Sequence, residues 1–157
     1  MIRQARAGDA IAILSIWNPI IRDTAITFTS AEKTEAEVVA MIDTRAAVLV
    51  WDAGAEVQGF ATYAQFRGGP GYARSQEHTI LLGAGARGQG LGRALMTALE
   101  DHARAAGHHM LIGGVSGSNP AGVAFHAAIG YAQVGLVPEA GWKFGRYHDL
   151  VLMQKIL

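Results

Sequence analysis

The sequence predicts one α/β domain over residues 1–157, built on a mixed central sheet with helices on both faces. Short apolar runs typical of strands alternate with longer stretches whose apolar residues recur with helical periodicity. The order of these elements gives antiparallel N-terminal strands followed by a βαβαββ succession, which is an α/β arrangement. A chain of 157 residues is long enough for a full hydrophobic core, and no repeat or linker divides it.

Capping and turn residues define the N-terminal elements. Residues 2–6 form a short predicted strand, and Asp9 is predicted to cap the helix that follows. The apolar face of this helix comprises Ile11, Ile13, Leu14, Ile16 and Trp17. The pair Asn18-Pro19 is expected to end or bend it. Thr34 and Glu37 have the spacing of a capping box, which predicts a second helix reaching about Arg45.

The remaining elements alternate between strands and helices. Residues 67–71 are a predicted loop, because their glycines and proline disfavour regular structure. A glycine-rich turn opens a third helix that ends near Gly107, and Asn119 opens a fourth that Gly130 caps. The predicted strands after the first are residues 47–51, 58–66, 77–82, 109–115, 131–137 and 147–156.

Composition argues against several classes of protein. The formal net charge is zero, so the chain offers no basic surface for nucleic acid. No apolar run reaches the length of a membrane span, and no signal-peptide core is visible. The chain has no cysteine, and its six histidines lack the spacing of metal ligands. We therefore expect a cytoplasmic protein that binds no metal, membrane or nucleic acid.

The glycine turn over residues 87–94 is the main functional signal in the chain. It reads Arg87-Gly88-Gln89-Gly90-Leu91-Gly92-Arg93-Ala94. Glycines let the backbone approach a ligand closely, and the free N–H groups in the first turn of a helix bind anions. The sequence therefore predicts a phosphate-binding turn, with an ordinary glycine-rich helix entry as the alternative.

Two common phosphate-binding motifs do not fit this turn. A Walker A loop ends in Gly-Lys-Ser/Thr, which is not present. A Rossmann turn needs glycine where Arg93 stands, and a carboxylate after the next strand. The pattern Arg/Gln-x-x-Gly-x-Gly/Ala is met by Arg87, Gly90 and Gly92. It resembles the pyrophosphate loop of the GCN5-related N-acetyltransferases (GNAT), which binds acetyl-CoA.

A wider resemblance, to the phosphinothricin and methionine sulfoximine N-acetyltransferase family, covers nearly the whole chain. The matching positions are Ile2-Arg3-x-Ala5, Asp9-Ala10, Ile16-Trp17-Asn18, Thr24, Arg67, Tyr72, Glu77, the glycine turn, Asn119, Phe125-His126, Gly130-Tyr131 and Gly141-x-Lys143-x-Gly145-Arg146-Tyr147-x-Asp149. The chain departs from the family in having Thr79-Ile80-Leu81-Leu82 for Ser-Val-Tyr-Val, and Tyr147 for Trp. The first change leaves main-chain hydrogen bonding intact, and the second concerns the substrate pocket or a subunit contact.

The resemblance implies a GNAT fold and acetyl-CoA as co-substrate. It also implies acetylation of the amino group of a small amino-acid-like substrate in a ternary complex, by a homodimer. Direct transfer agrees with the lack of cysteine, since no thiol could carry the acetyl group. The residues expected to bind acetyl-CoA are Ile80, Leu81, Leu82, Arg87, Gly88, Gln89, Gly90, Leu91, Gly92, Arg93 and Asn119.

Three side chains are candidates for proton transfer. An amine with a pKa above roughly 9 is mostly ammonium near pH 7, so the reaction needs a base. Glu77 opens an apolar strand that would raise its pKa, and it is the predicted base, acting directly or through water; the alternative is a surface carboxylate. By resemblance, His126 assists the base and Tyr131 protonates the leaving thiolate, with packing roles as their alternatives. A backbone N–H of residues 80–82 is expected to stabilise the carbonyl oxygen.

The substrate site is expected around the loop before Glu77. Guanidinium groups there can bind the carboxylate of an amino acid, or can simply be solvated. The predicted substrate-binding residues are Phe28, Arg67, Gly68, Gly69, Tyr72, Arg74, Glu77, His78 and Thr79. Trp17 and residues 143–149 are expected to wall the pocket. The alternative functions are acetylation of a protein N-terminus or lysine, CoA binding without turnover, and a nucleotide-dependent oxidoreductase.

Overall fold

A computed structural model describes residues 1–157 and contains seven strands and four helices. The strands are β1 (Ile2–Gln4), β2 (Val48–Asp52), β3 (Val57–Gln65), β4 (Ser75–Leu82), β5 (Met110–Ser116), β6 (Ala132–Lys143) and β7 (Arg146–Ile156). The helices are α1 (Ala10–Asp23), α2 (Glu35–Thr44), α3 (Leu91–Ala105) and α4 (Pro120–Ala128). None of these helices combines the length and the apolar character that a membrane span requires.

All seven strands form one sheet, in the order β1-β2-β3-β4-β5-β7-β6. Neighbouring strands are antiparallel except β4 and β5, which are parallel. The predicted mixed sheet, with antiparallel strands first and βαβαββ after them, is confirmed.

The parallel pair β4–β5 separates after a short contact. Ser75–Glu77 pairs with Met110–Ile112, and no pairing between the two strands continues beyond it. Each strand stays paired on its other side, β4 with β3 as far as Leu82 and β5 with β7 as far as Ser116. The inner edges of the two strands are therefore free of strand partners over residues 78–82 and 113–116. This opening positions the functional site.

Two apolar clusters cover the two faces of the sheet. On one face, α1 and α2 pack through Ile13 and Val38 against Phe60 of β3. On the other face, α3 packs through Leu95 and Leu99 against strand residues of the second cluster. Because successive side chains of a strand point to opposite faces, Glu77 and Leu81 of β4 face the α1 side, whereas His78 and Ile80 face α3 and α4.

Helix α1 differs from its prediction. It continues through Pro19 to Asp23, so Asn18-Pro19 does not end it, and a bend at this pair stays a prediction. Ile20 and Ile21 beyond the proline are buried, and burial of apolar side chains outweighs the backbone hydrogen bond that proline removes. Asp9 precedes the helix without a side-chain capping bond, because its carboxylate pairs with Arg3 and accepts from the Arg6 N–H.

Two further predictions, one position and one strand boundary, differ from the structure. Ile11, expected on the apolar face, is 56% exposed. Strand β6 runs to Lys143 rather than to residue 137, since a shift in register between Val137 and Gly141 accommodates Pro138 within the strand. The capping box of Thr34 and Glu37 is confirmed by both of its hydrogen bonds.

Candidate active site

The glycine turn forms a helix entry with the geometry that suits an anion. Gly88 and Gly90 have φ angles of 76° and 80°, a left-handed conformation that glycine adopts without strain. Gly90 is the N-cap of α3 and supplies no side-chain cap, so the N–H groups of the first helical turn remain available. A Cβ on Gly92 would lie 3.1 Å from the Phe125 ring, so this glycine lets α3 and α4 approach closely.

A cavity of about 480 Å³ opens next to this turn and has the volume and lining of a ligand site. Its walls come from the free edge of β4, the glycine turn and α4. The predicted donor-site residues among its lining are Ile80, Leu82, Arg87, Gly88, Gly90, Gly92, Arg93 and Asn119. Arg87 is exposed, whereas Arg93 donates to the Ala128 carbonyl over 3.1 Å. The cavity therefore combines free backbone N–H groups with positive charge, which suits a diphosphate.

A second, smaller cavity of about 220 Å³ lies between the diverging strands. It is lined by Thr79 to Leu81 of β4, by Gly113 to Ser116 of β5, and by residues 26–28 of the connection between α1 and α2. Ile26, Ile80, Asn119 and Gly122 line both cavities, so the two spaces adjoin. We call the larger space the outer cavity and the smaller one the inner cavity.

Glu77 lies where β4 and β5 separate. Its Oε2 atom is 3.7 Å from the position that a Cβ on Gly114 would occupy. The residue is exposed, yet desolvation by the groups around its carboxyl raises the pKa above the ordinary value. The positive charge of Arg45 opposes this shift. A carboxylate with a raised pKa at this point can accept a proton from an amine that enters from the α1 side.

Arg45, which sequence reasoning did not select, lies near Glu77 at the end of α2. It is partly buried, and desolvation lowers its pKa from the ordinary value. One N–H donates to the Thr62 hydroxyl over 3.3 Å, and no carboxylate lies within ion-pair distance of its guanidinium. Arg45 therefore acts on Glu77 through its field and not through a direct ion pair.

On the opposite face of β4, His78 and His126 form a buried imidazole pair that lines the inner cavity. Their Nε2 atoms are 2.9 Å apart. Nδ1 of His126 lies 2.8 Å from the Gly122 carbonyl, which can only accept, so we assign the hydrogen of neutral His126 to Nδ1. His78 then donates from Nε2, and its own Nδ1 is a buried acceptor without a partner. A Cβ on Gly113 would lie 2.8 Å from the His78 ring, so only glycine leaves room for the pair.

Burial keeps both imidazoles neutral. Desolvation, with a smaller contribution from His126, lowers the pKa of His78 to about 3. Desolvation also lowers the pKa of His126, and its bond to the Gly122 carbonyl opposes the shift only in part. No three His, Asp or Glu side chains are grouped so that they could hold a metal ion.

Tyr131 lies behind this pair and lines neither cavity. Its ring packs edge-on against both His78 and His126, with centroids 5.2 and 5.4 Å away. The hydroxyl is buried without a hydrogen-bond partner, and desolvation, followed by the nearby charge of Glu100, raises its pKa. The structure thus places Tyr131 against the imidazoles, and its predicted role as proton donor stays a prediction.

The other predicted residues divide into two groups. Leu81, Phe28, His78 and Thr79 line the inner cavity, whereas Gln89 and Leu91 line neither cavity. Gln89 instead donates to the Gly85 carbonyl, and Leu91 is buried. Arg67, Gly68, Gly69, Tyr72 and Arg74 form an exposed loop outside both cavities, in which Arg67 lies 5.7 Å over the Tyr72 ring. Trp17 packs on Phe60, and residues 143–149 line neither cavity.

Sequence reasoning missed several residues of the cleft. The lining residues that it did not select include Ile26, Thr27, Gly113, Gly114, Ser116, Gly122 and Leu150. Gly113 and Gly114 carried a usable signal, because glycines inside a strand often mark the close approach of a ligand or side chain. Ile26 and Thr27 carried none, since their place depends on the tertiary packing of the connection between α1 and α2.

Comparison with known proteins agrees with this geometry. The model of the acetyltransferase (GNAT) family matches residues 14–131, which include the whole glycine turn and both cavity-lining strands. The chain belongs to the GNAT acetyltransferase family. It is therefore an N-acetyltransferase of the GNAT fold, as the resemblance implied.

The similarity to known proteins extends over nearly the whole chain. A methionine sulfoximine/methionine sulfone acetyltransferase of Pseudomonas aeruginosa is 34% identical over 98% of this chain and 92% of its own length. The crystal structure of a ribosomal-protein-alanine N-acetyltransferase from Brucella melitensis has a TM-score of 0.96 at 34% identity, covering 100% of this chain and 99% of its own. A phosphinothricin acetyltransferase from Sinorhizobium meliloti, solved with acetyl-CoA, has a TM-score of 0.94 at 30% identity, covering 100% and 88%.

Proposed function

We propose that residues 1–157 act as one N-acetyltransferase domain that transfers the acetyl group of acetyl-CoA directly to the amino group of a small amino-acid-like acceptor. The proposed acceptors are phosphinothricin, methionine sulfoximine, methionine sulfone or a related L-amino acid. The observation that carries the proposal is the pair of adjoining cavities at the opening between β4 and β5, one suited to a diphosphate and one of only about 220 Å³, with Glu77 close to Gly114 of the smaller cavity. A space of that volume suits a small acceptor. The activities named for the similar proteins of Pseudomonas aeruginosa and Sinorhizobium meliloti support the same class.

The outer cavity fits acetyl-CoA. Its free first-turn N–H groups and Arg87 would hold the diphosphate, and Asn119 would bond the pantetheine arm. Acetyl-CoA, when bound, supplies the acetyl group as a thioester and leaves as the thiol. The strand edge beyond Glu77 offers main-chain groups without a strand partner, and we propose that an N–H of residues 80–82 stabilises the carbonyl oxygen.

Glu77 is the proposed base of the reaction. It takes one proton from the acceptor ammonium, directly or through water, so that the neutral amine can form its bond to the acetyl carbon. As the carbon–sulfur bond breaks, the nitrogen loses a second proton, which balances the one that the sulfur takes up. The departing sulfur then takes up a proton, for which Tyr131 is the predicted donor. His126 is proposed to assist from the opposite face, in the Nδ1–H tautomer that its bond to the Gly122 carbonyl fixes. No metal takes part in this proposal.

We further propose a cytoplasmic homodimer that binds neither nucleic acid nor membranes. The support for the dimer is an apolar surface along β6 and the β6–β7 turn, formed by Val134, Leu136, Trp142, Phe144 and Tyr147, each more than half exposed. An edge strand with exposed apolar side chains is suited to contact with a second copy.

The test is release of CoA thiol with a panel of acceptors, namely the free L-amino acids, methionine sulfoximine, methionine sulfone, phosphinothricin, polyamines and peptides. We expect release with amino-acid-like acceptors, and intersecting lines when both substrates are varied, as a ternary complex requires. Parallel lines would contradict direct transfer. Release with peptides alone would favour the second candidate, acetylation of a protein N-terminus, which the name of the similar Brucella melitensis protein suggests. Binding of acetyl-CoA without release under any condition would favour a CoA-binding module.

A further inference from the structure

The wall of the inner cavity formed by Ile26, Thr27 and Phe28 has no regular secondary structure of its own. These residues lie in the connection between α1 and α2, which is neither helix nor strand over residues 24–34. Their position therefore depends on contacts with other parts of the chain. We call residues 26–28 the acceptor wall.

Lys143, at the end of β6, bonds the acceptor wall to the last turn of α1. Its Nζ donates to the Ile21 carbonyl over 2.5 Å, to the Thr27 carbonyl over 2.8 Å and to the Thr27 hydroxyl over 3.3 Å. An ammonium group has three hydrogens, and three acceptors lie around it. The Ile21 carbonyl belongs to the C-terminal turn of a helix, where a positive charge is favoured.

This lysine is 4% exposed, and a buried ammonium is unfavourable unless hydrogen bonds compensate for its lost hydration. An apolar side chain of the same length would fill the space without that requirement. The hydrogen bonds of Lys143 instead fix the main chain of Thr27, one residue from Phe28. Lys143 itself lines neither cavity.

Two residues close to Lys143, Gly141 and His148, determine where the Phe28 ring lies. A Cβ on Gly141 would collide with Phe28, so the absence of a side chain there provides the space for the ring. The ring also stacks on His148, with centroids 5.8 Å apart and planes 27° from parallel. His148 is itself fixed, because its Nε2 donates to the Lys143 carbonyl over 3.0 Å and its Nδ1 lies 2.8 Å from the Ser118 hydroxyl.

We propose that Lys143, Gly141 and His148 are positioning residues that determine acceptor specificity by holding Thr27 and Phe28 against the inner cavity. The inference rests on the proposed function, because it assigns the inner cavity to the acceptor. It gives a physical role to the Gly-x-Lys segment near the C-terminus, which touches the wall of the site and not the substrate. Loosening the wall should weaken acceptor binding and reduce the preference among acceptors, while the outer cavity, to which only Ile26 of the wall contributes, is affected less.

Lys143→Met tests the proposal, since it keeps the aliphatic stem and removes the three N–H donors. We expect KM for the preferred amino-acid acceptor to rise about tenfold or more, as the loss of one or two hydrogen bonds to a charged group would give. The Kd of acetyl-CoA, measured by calorimetry, should stay within about twofold of wild type. Amide hydrogen exchange over residues 24–29 should become faster. An unchanged acceptor KM, or an equal loss of acetyl-CoA affinity, would overturn the proposal.

A double-mutant cycle tests the same contact without Lys143. Gly141→Ala should raise the acceptor KM in the wild-type background and have little further effect when Phe28 is already alanine, because the colliding ring is gone. Gly135→Ala is the matched control on the same strand, where a Cβ would make an ordinary contact of 3.4 Å. Additive effects of Gly141→Ala and Phe28→Ala would contradict the inference even if Lys143→Met failed to fold.

These readouts separate the two proposals. If the wild-type protein acetylates only peptides, the small-acceptor function fails, while hydrogen exchange over residues 24–29 still reports whether Lys143 holds the wall. If the wild-type protein acetylates amino acids and Lys143→Met leaves acceptor KM and hydrogen exchange unchanged, only the positioning role fails.

Discussion

The Nε2 atoms of His78 and His126 lie 2.9 Å apart, and the hydrogen between them belongs to His78 because His126 carries its own on Nδ1. The lone pair of His126 that could accept a proton is thereby occupied. The pair is a neutral wall of the inner cavity in the resting protein, and in the proposed mechanism Glu77, on the other face of β4, accepts the first proton.

Replacing His78 with phenylalanine should change how stability depends on pH. The folded-state pKa of about 3 lies below the unfolded value near 6.5, so the folded protein resists protonation. Stability from this residue is complete above about pH 6.5 and is lost as pH falls towards 3. We expect wild type to lose roughly 3 kcal/mol between pH 7 and pH 4 through this group. His78→Phe should lose less, in urea titrations.

The exposed His109 supplies the matched control for that experiment. His109→Phe should keep the wild-type slope of stability against pH. Identical slopes for wild type and His78→Phe would show that His78 does not resist protonation in the folded protein. Imidazole NMR of the wild type should show neutral His126 as the Nδ1–H tautomer, and the Nε2–H tautomer would contradict the assigned bond.

Glu77→Gln should reduce kcat by about 10²- to 10⁴-fold, the range usual for loss of a general base. The amide keeps the size of the side chain but cannot accept the proton. Calorimetric affinity for acetyl-CoA should not change, because Glu77 lines neither cavity. A variant with wild-type kcat would remove Glu77 from the mechanism.

The acidic limb of the pH profile should report the Glu77–Arg45 interaction. Desolvation raises the Glu77 pKa and Arg45 lowers it, and the resulting pKa lies above the ordinary value. Activity should fall at pH values below this pKa, because the carboxylate is then protonated and cannot act as the base. Arg45→Met should move the limb of kcat/KM to higher pH, because the charge that favours the carboxylate is gone. Arg22→Met, which removes an exposed guanidinium at the end of α1, should leave the limb in place. A limb that moves to lower pH in Arg45→Met would contradict the assignment.

Gly90→Ala should weaken acetyl-CoA binding. A Cβ at Gly90 meets no atom within 4 Å, so its cost is the left-handed backbone at φ 80°, about 1–2 kcal/mol. Relaxing that strain turns the N–H groups of the first helical turn away from the outer cavity, and we expect an increase in Kd of about tenfold. Gly85→Ala is the control, since Gly85 has open space and no positive φ. Equal Kd values for the two variants would contradict the anion-binding role of the turn.

The proposed dimer predicts a change of mass on substitution in β6. Leu136→Lys places a charge within the exposed apolar surface, and sedimentation should show a monomer where wild type sediments as a dimer. Ile11→Lys alters an apolar residue of similar exposure on α1 and should leave the mass unchanged. A monomeric wild type would refute the dimer.

Local chemistry explains which parts of the fold the sequence could predict. The capping box at Thr34 and the N-cap at Asn119 depend on residues within three positions, and the structure contains both. Pro19 does not end α1, because the burial of Ile20 and Ile21 overrides the local preference for a helix end.

The active site was harder to predict, because much of it is assembled from distant parts of the chain. Lys143 and Ile21 are 122 residues apart, and no spacing indicates that they meet. The glycine turn is continuous in sequence and could be recognised. The His78–His126 bond joins residues 48 positions apart on two elements, so neither histidine alone revealed it.

Only three residue pairs join β4 to β5, so the sheet is divided into two halves that share a short contact. One half contains β1 to β4, and the other contains β5, β7 and β6. A ligand bound in the opening between β4 and β5 would contact both halves of the sheet and fix the angle between them. Residues of both halves line the inner cavity, so the shape of the cavity depends on that angle. We therefore expect ordered binding, in which acetyl-CoA binds first and the amine then binds to an inner cavity whose shape is already fixed.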